Sequence, residues 1–386
     1  MCACGALAAP ARGNETDQFL LPTDVEMVDV GRLISGAHCR VLEDVVEGLN
    51  ARIAAAQRIA DPARRAAALE RLHDPGLVAD KVRAAFGPGF FETIGMEHAL
   101  RSRAAARACG GDGGGEDAVL IYKRMDWIYA FAHLPFDPRN IPMALPSSTV
   151  RVYGSYVGTD KFGHFHDLGH IYFKDYLGKR RAGKDERQAT EEVVWMWSRG
   201  PIAETTAIGF LATGVCSNAD LAANYMGLKF YRNLTEPMVV RGQERPPMLV
   251  VVGGYWRLNH HVRPDSDFFA PFVSDHWNEA LNPCVYEWGL RWTVERRMRN
   301  RAEEILGFYC DVDGRPRDAA YFADLAVELS TYDGEDYGYF TDPREIMGIA
   351  TACFDEEDGA ADGDDPDGTG AVASTTGVGN RGPEHR

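Results

Sequence analysis

Residues Gly158 to His170 read Gly-Thr-Asp-Lys-Phe-Gly-His-Phe-His-Asp-Leu-Gly-His. Three of the chain's eleven histidines fall here within seven positions, interleaved with Asp160, Lys161 and Asp167. Nowhere else do groups that move protons or hold a metal crowd so closely. If the segment is helical, Asp160 and His164 stand one turn apart. A carboxylate so placed orients an imidazole and raises its basicity, whether the ring serves as general base or metal ligand. Lys161 then neutralises a carboxylate or anchors an anionic substrate. The plainer reading is that Asp160 caps the helix, Lys161 is a solvated flank and His164 fills a polar core slot.

A second reading takes His166-Asp167-Leu168-Gly169-His170. Two histidines at i and i+4 share a helix face and can bind zinc with the intervening acid as base, as in His-Glu-x-x-His. The acid here is Asp, one methylene shorter, and Gly169 costs the helix roughly 1 kcal/mol. The third ligand of this divalent metal would come from Glu191, Glu192 or Glu204.

Glu204 lies in an otherwise apolar run from Pro201 to Cys216. Such a setting favours partial burial with a partner; an exposed first-turn glutamate is the simpler alternative. Next comes Ser217-Asn218-Ala219-Asp220-Leu221-Ala222-Ala223-Asn224-Tyr225-Met226-Gly227. Ser217 and Asp220 fit a capping-box variant. Capping does not explain Asn224 on the face of Asp220, or Gly227 inside the same helix. His260, His261 and His276 are a reserve of ligands, though a loop histidine pair is more often a surface feature. The stretch Glu328–Tyr339 is acidic and aromatic and suits either the rim of a sugar or peptide pocket or an ordinary turn.

The order Asp160-Lys161-x-x-His164, then Glu204, then Ser217-x-x-Asp220-x-x-x-Asn224-x-x-Gly227 resembles a group of bacterial envelope proteins. The group includes VanZ-like membrane proteins and YfiM-like lipoproteins. The resemblance covers about residues 154–231. It implies a periplasmic or envelope setting and lends no reaction. A membrane-embedded role is not carried over, because no apolar run reaches the roughly 18 residues needed to span a bilayer.

The elements that must position these groups are mostly helices. Apolar residues at helical spacing and two Asp-Pro pairs predict helices over 38–60, 62–73 and 75–86. Further helices are expected over 118–133, 160–177, 186–197, 202–213, 218–234, 274–280, 285–306 and 321–331. Thr149–Gly158 reads as a short strand, and Met248–Leu258, with its Gly253-Gly254 pair, as a hairpin. Gly110–Gly115 is a linker or loop tip, and 136–146 a proline-stiffened connector. The expected class is mainly α, a helical bundle-like globule with minor β hairpins.

With 386 residues and 45% hydrophobic composition, the chain can build a sizeable core. Its net charge of −16 argues against a nucleic-acid surface. Nine acidic residues and two arginines fall in 355–386, which has no aromatic residue and reads as a disordered acidic tail. The eight cysteines are scattered and form no disulfide scaffold. The opening MCACGALAAPARG resembles the end of an export signal; were the true start upstream, Cys4 would be a candidate for lipid attachment. The expected organisation is a mobile 1–20, a helical region 21–110, a main helical domain 116–354 carrying the polar site, and the tail 355–386.

The expected function is a hydrolase of the bacterial envelope, otherwise cytoplasmic, acting on a small-molecule substrate or envelope component. Its site would comprise His164, Asp160, Lys161, Glu204, Asp220 and Asn224. The rivals are a non-catalytic envelope protein with a buried polar network, and a zinc metallohydrolase using His166 and His170.

Overall fold

Each Asp-Pro pair opens a helix. Asp61 accepts from the Arg64 amide at 2.9 Å and Asp74 from the Leu77 amide at 3.0 Å, with proline at the first helical position in both. These caps start α2 (Pro62–Leu72) and α3 (Pro75–Phe86), which follow the long α1 (Gly31–Gln57). α1 turns Ile34, Leu42, Val45, Leu49 and Ile53 inward at helical spacing. α4 covers Gly89–Leu100. The computed structural model describes residues 21–87, 89–102, 119–122, 147–200, 215–286, 288–340 and 346–354. The N-terminal 1–20, the Gly110–Gly115 linker, the connector 136–146, the tail 355–386 and the helices expected over 118–133 and 202–213 lie outside the described residues, apart from Val119–Tyr122.

The stretch read as one strand is a hairpin, β1 (Thr149–Val152) with β2 (Ser155–Gly158). The difference lies at Tyr153 and Gly154, whose φ angles of 49° and 90° make the tight turn. Asp29 steadies that turn by accepting from the amides of Tyr153 (3.0 Å) and Gly154 (2.6 Å). Directly after β2 the chain enters α5 (Asp160–Gly163), then one wide π-helical turn over His164–Leu168, then α6 (Gly169–Arg181). α7 (Glu186–Arg199) begins on a capping box between Asp185 and Gln188.

Strand β3 (Val215–Cys216) leads into α8 (Asn218–Asn233), and every residue of α8 is buried. That burial makes it the helix around which the others pack; α6 and the π-turn lie against it. Hairpins β4–β5 (Met238–Val240, Gln243–Arg245) and β6–β7 (Leu249–Val252, Tyr255–Leu258) follow, the second turning at Gly253-Gly254 as its sequence predicts.

The helix expected over 274–280 is only a 3-10 turn, Asp275–Trp277. The one expected over 285–306 starts instead as β8 (Cys284–Tyr286), with α9 (Trp288–Asn300) and α10 (Ala302–Phe308) after it. Strand pairing overrode helical periodicity there, because β8 is the middle of a three-stranded antiparallel sheet with β3 and β9 (Ile346–Met347). α11 (Ala319–Leu329) and α12 (Ile349–Ala352) complete a mainly α fold with small separate sheets. One continuous apolar cluster runs from Val30, just before α1, and Leu42 within it through Phe165 and Phe230 to Tyr337. No described helix is long and apolar enough to cross a membrane.

Candidate functional site

Two helix starts place the chemistry. Thr159, at the end of β2, is pinned by its hydroxyl to Glu97 (2.8 Å) and by its amide to the Ser148 carbonyl (2.8 Å). That fixes where α5 begins, and with it Asp160, Lys161 and His164. Ser217 caps α8 by accepting from the Asp220 amide at 3.2 Å, as its sequence predicts. Asp220 and Asn224 then project from the first two turns of α8 toward α5 and the π-turn.

Lys161 is fully buried, and its ammonium donates to Asp160 Oδ2 (2.8 Å), Asp220 Oδ1 and Glu279 Oε1. Asp220 is likewise fully buried, Asp160 is 4% exposed and Glu279 5%. One cation thus faces three carboxylates in a low-dielectric space, where charge cannot be left unbalanced cheaply. Burial pushes Glu279 up to about 8; Lys161 opposes the shift, and the charges of Asp160 and Asp220 reinforce it. Glu279 therefore holds a proton at neutral pH. Its Oε2 is buried and makes no hydrogen bond, while Ser217 Oγ donates to Oε1 at 3.2 Å.

His164 sits at the edge of this group, 8% exposed. Its Nδ1 donates to Asn224 Oδ1 at 3.2 Å. That leaves Nε2 facing Asp220 Oδ2 at 3.4 Å, and this carboxylate oxygen makes no hydrogen bond. Asn224, which capping did not explain, sets the tautomer of the ring. Asp160, His164 and Asp220 each offer one ligand atom, and these atoms lie within 4.8 Å of one another. The group combines a base held in one tautomer, a neutral carboxylic acid nearby and a metal-capable set of donors.

The structure brings together five of the expected residues: Asp160, Lys161, His164, Asp220 and Asn224. The plain reading of Lys161 as a solvated flank does not hold. Glu204 lies outside the described residues. Sequence reasoning missed Glu279. It stands between Asn278 and Ala280 in a stretch read as an ordinary helix, and its one signal was a carboxylate among the apolar neighbours Trp277, Ala280 and Leu281.

His166 and His170 turn to different partners. The π-turn adds about one residue per turn, so the i, i+4 face expected for zinc is lost where it begins. His166 Nε2 meets His38 Nε2 at 3.0 Å, with Phe86 stacked on its ring at 3.9 Å. His170 Nε2 pairs with Asp80 at 2.9 Å, and Asp167 with Arg83 at 2.5 Å. Burial lowers His38 to about 4 and holds His166 well below the usual imidazole range, with the charges of His38 and Arg83 adding to the effect. His38 Nδ1 donates to the Ile34 carbonyl at 2.8 Å, so its Nε2 accepts from His166. This is a neutral histidine pair packed into an aromatic core. The other expected zinc ligands are engaged elsewhere, Glu191 with Arg187 and Glu192 with Lys184.

His260 is exposed and bonds its neighbour Asn259; His276 donates from Nε2 to the Thr331 carbonyl and lies against Tyr332. Glu335 and Asp336, from the acidic aromatic stretch, line a groove of about 1210 Å³ together with Trp195, Lys229 and Arg232. None of the clustered residues around Lys161 lines that groove.

Comparison of the chain with protein-family models, with curated proteins and with solved structures yields no match, so its function is read from this geometry.

Proposed function

We propose that the protein is a hydrolase in which the group around His164 activates a water molecule. The observation that carries this reading is the meeting of His164 Nε2 and Asp220 Oδ2 at 3.4 Å, the ring held by Asn224 from the other side. With Nδ1 donating to Asn224, Nε2 is the ring nitrogen left to take a proton from water. Glu279, protonated at neutral pH, is suited to return a proton to a leaving group. Two titrating groups held apart in this way are the usual division of labour in hydrolysis. Lys161 holds Asp160 and Asp220 in place through its hydrogen bonds. The proposed setting is the bacterial envelope, which rests on the sequence resemblance alone; fractionation of cells expressing the protein tests it, and recovery wholly in the cytosolic fraction refutes it.

The test of the reaction is a panel of chromogenic esters, phosphodiesters, peptides and glycosides. One bond class should be cleaved, and His164→Gln and Asp220→Asn should each lower kcat/KM by about 100-fold or more. Their circular dichroism spectra should stay as in the parent. Activity that persists in both variants, or no cleavage across the panel, refutes the proposal.

A second reading, a non-catalytic polar network locking the helices, is favoured by the complete burial of Lys161. It makes a different forecast. His164→Ala would then lower the melting temperature strongly, because its role would be to hold α8, whereas a reacting group at the edge of the cluster is removed with little effect on the fold.

A further inference from the structure

The contact between His164 and Asp220 has an unusual electrical character. With Nδ1 bonded to Asn224, Nε2 is turned toward a carboxylate oxygen that makes no hydrogen bond. A ring nitrogen and an unbonded carboxylate oxygen facing each other in a buried site mark a place that a cation fits. The separation matches one. Ligand atoms on arms of about 2.1 Å, set at a tetrahedral angle, stand about 3.4 Å apart, and the distance from Nε2 to Oδ2 is 3.4 Å. An oxygen of Asp160 completes a set of three donors within 4.8 Å of one another.

We infer that Asp160, His164 and Asp220 bind one divalent cation of the zinc class, with a fourth position left for water. An imidazole with two carboxylates suits zinc better than magnesium or calcium, which prefer oxygen alone. Three protein ligands and an open position form the pattern of catalytic rather than structural zinc. The surrounding residues supply what such a site needs. Lys161 holds Asp220 through Oδ1 and Asp160 through Oδ2. Asn224 fixes the ring with Nε2 toward the metal position. Such outer partners orient ligands and are worth a large share of the affinity.

The inference rests on the same site as the hydrolase proposal and changes how the water is activated there: Nε2 of His164 would ligate the metal instead of acting as base, and the metal-bound water would be the nucleophile. The experiment uses the full chain, stripped with chelator and dialysed against zinc chloride or cobalt chloride. One zinc per chain is expected by elemental analysis. Cobalt should show the intense visible bands of a four-coordinate ion. His164→Gln and Asp220→Asn should weaken zinc binding by about 100-fold, while replacing the exposed His260 by alanine should leave it unchanged. The cobalt spectrum is read on the parent protein, so it stands even if a variant fails to fold. Absence of stoichiometric zinc, the weak spectrum of six-coordinate cobalt, or zinc retained in both site variants overturns the inference. Zinc bound without cleavage of any substrate keeps it and refutes only the hydrolase. Cleavage undiminished in the chelated protein does the reverse.

Discussion

Replacing Gly227 by alanine tests how the site is built. A Cβ at Gly227 would stand 2.1 Å from the Phe165 carbonyl oxygen and 2.7 Å from Gly169 Cα. A Cβ at Gly169 would stand 2.5 Å from Gly227 Cα. The two backbones are therefore in contact where α8 crosses the π-turn and α6. An ordinary carbon-to-oxygen contact needs about 3.3 Å or more, so the helices must part by about 1.2 Å. The obstacles are main-chain atoms, which cannot rotate away. Overpacking of this kind costs about 3 kcal/mol, against a gain of about 1 kcal/mol from replacing glycine in a helix. The net expectation is a loss of about 2 kcal/mol. Gly48→Ala is the control: Gly48 lies on α1 with nothing within 4 Å of the added carbon, so only the helical gain remains. Urea denaturation of the two variants should differ by about 3 kcal/mol. Parting the helices also draws Asn224 and Asp220, one and two turns away, from the ring of His164, so zinc affinity should fall too. If Gly227→Ala is as stable as Gly48→Ala, the close crossing is not what orders this site.

Other expectations concern charge. Glu279 is raised in the folded state above the 4.5 of a free glutamate, so the stability it contributes is complete below 4.5 and is lost as pH rises through about 8. Glu279→Gln should therefore gain on the parent between pH 6 and pH 9 in denaturant titrations; an unchanged gap refutes the protonated assignment. His38 runs the other way. Its folded value of about 4 lies below 6.5, so its contribution is complete above 6.5 and is lost as pH falls toward 4, about 3 kcal/mol in all. His38→Met should be less stable than the parent at pH 7, and the gap should close by pH 4. Lys161→Met leaves the carboxylates it serves without their ammonium and should cost about 3–5 kcal/mol; a midpoint within the error of the parent would show that the network is not a unit.

The local signals were strong where short-range physics decides. A capping carboxylate before proline, an inward apolar face on α1, a glycine pair between a valine run and an aromatic pair, and a serine one residue before α8 each act within a few residues. Those elements lie where the spacing puts them. The same reading marked Gly169 and Gly227 as odd, since each weakens its own helix, and Asn224 as unexplained. All three oddities answer to partners on another helix. The hairpin at Tyr153-Gly154 was missed because nothing in the side chain of Tyr153 advertises a positive φ; Asp29, far upstream, holds it.

The chain's residue order thus settled which groups had the chemistry to matter and most of the helices that carry them. Tertiary packing settled which of those groups meet. Lys161 and Glu279 are 118 positions apart and His38 and His166 are 128 apart. A single wide turn at His164–Leu168 sends His164 into the carboxylate cluster and His166 into an aromatic core. No local preference encodes that choice, because its free energy comes from satisfying buried charge and filling space between helices, and neither exists until the helices are packed.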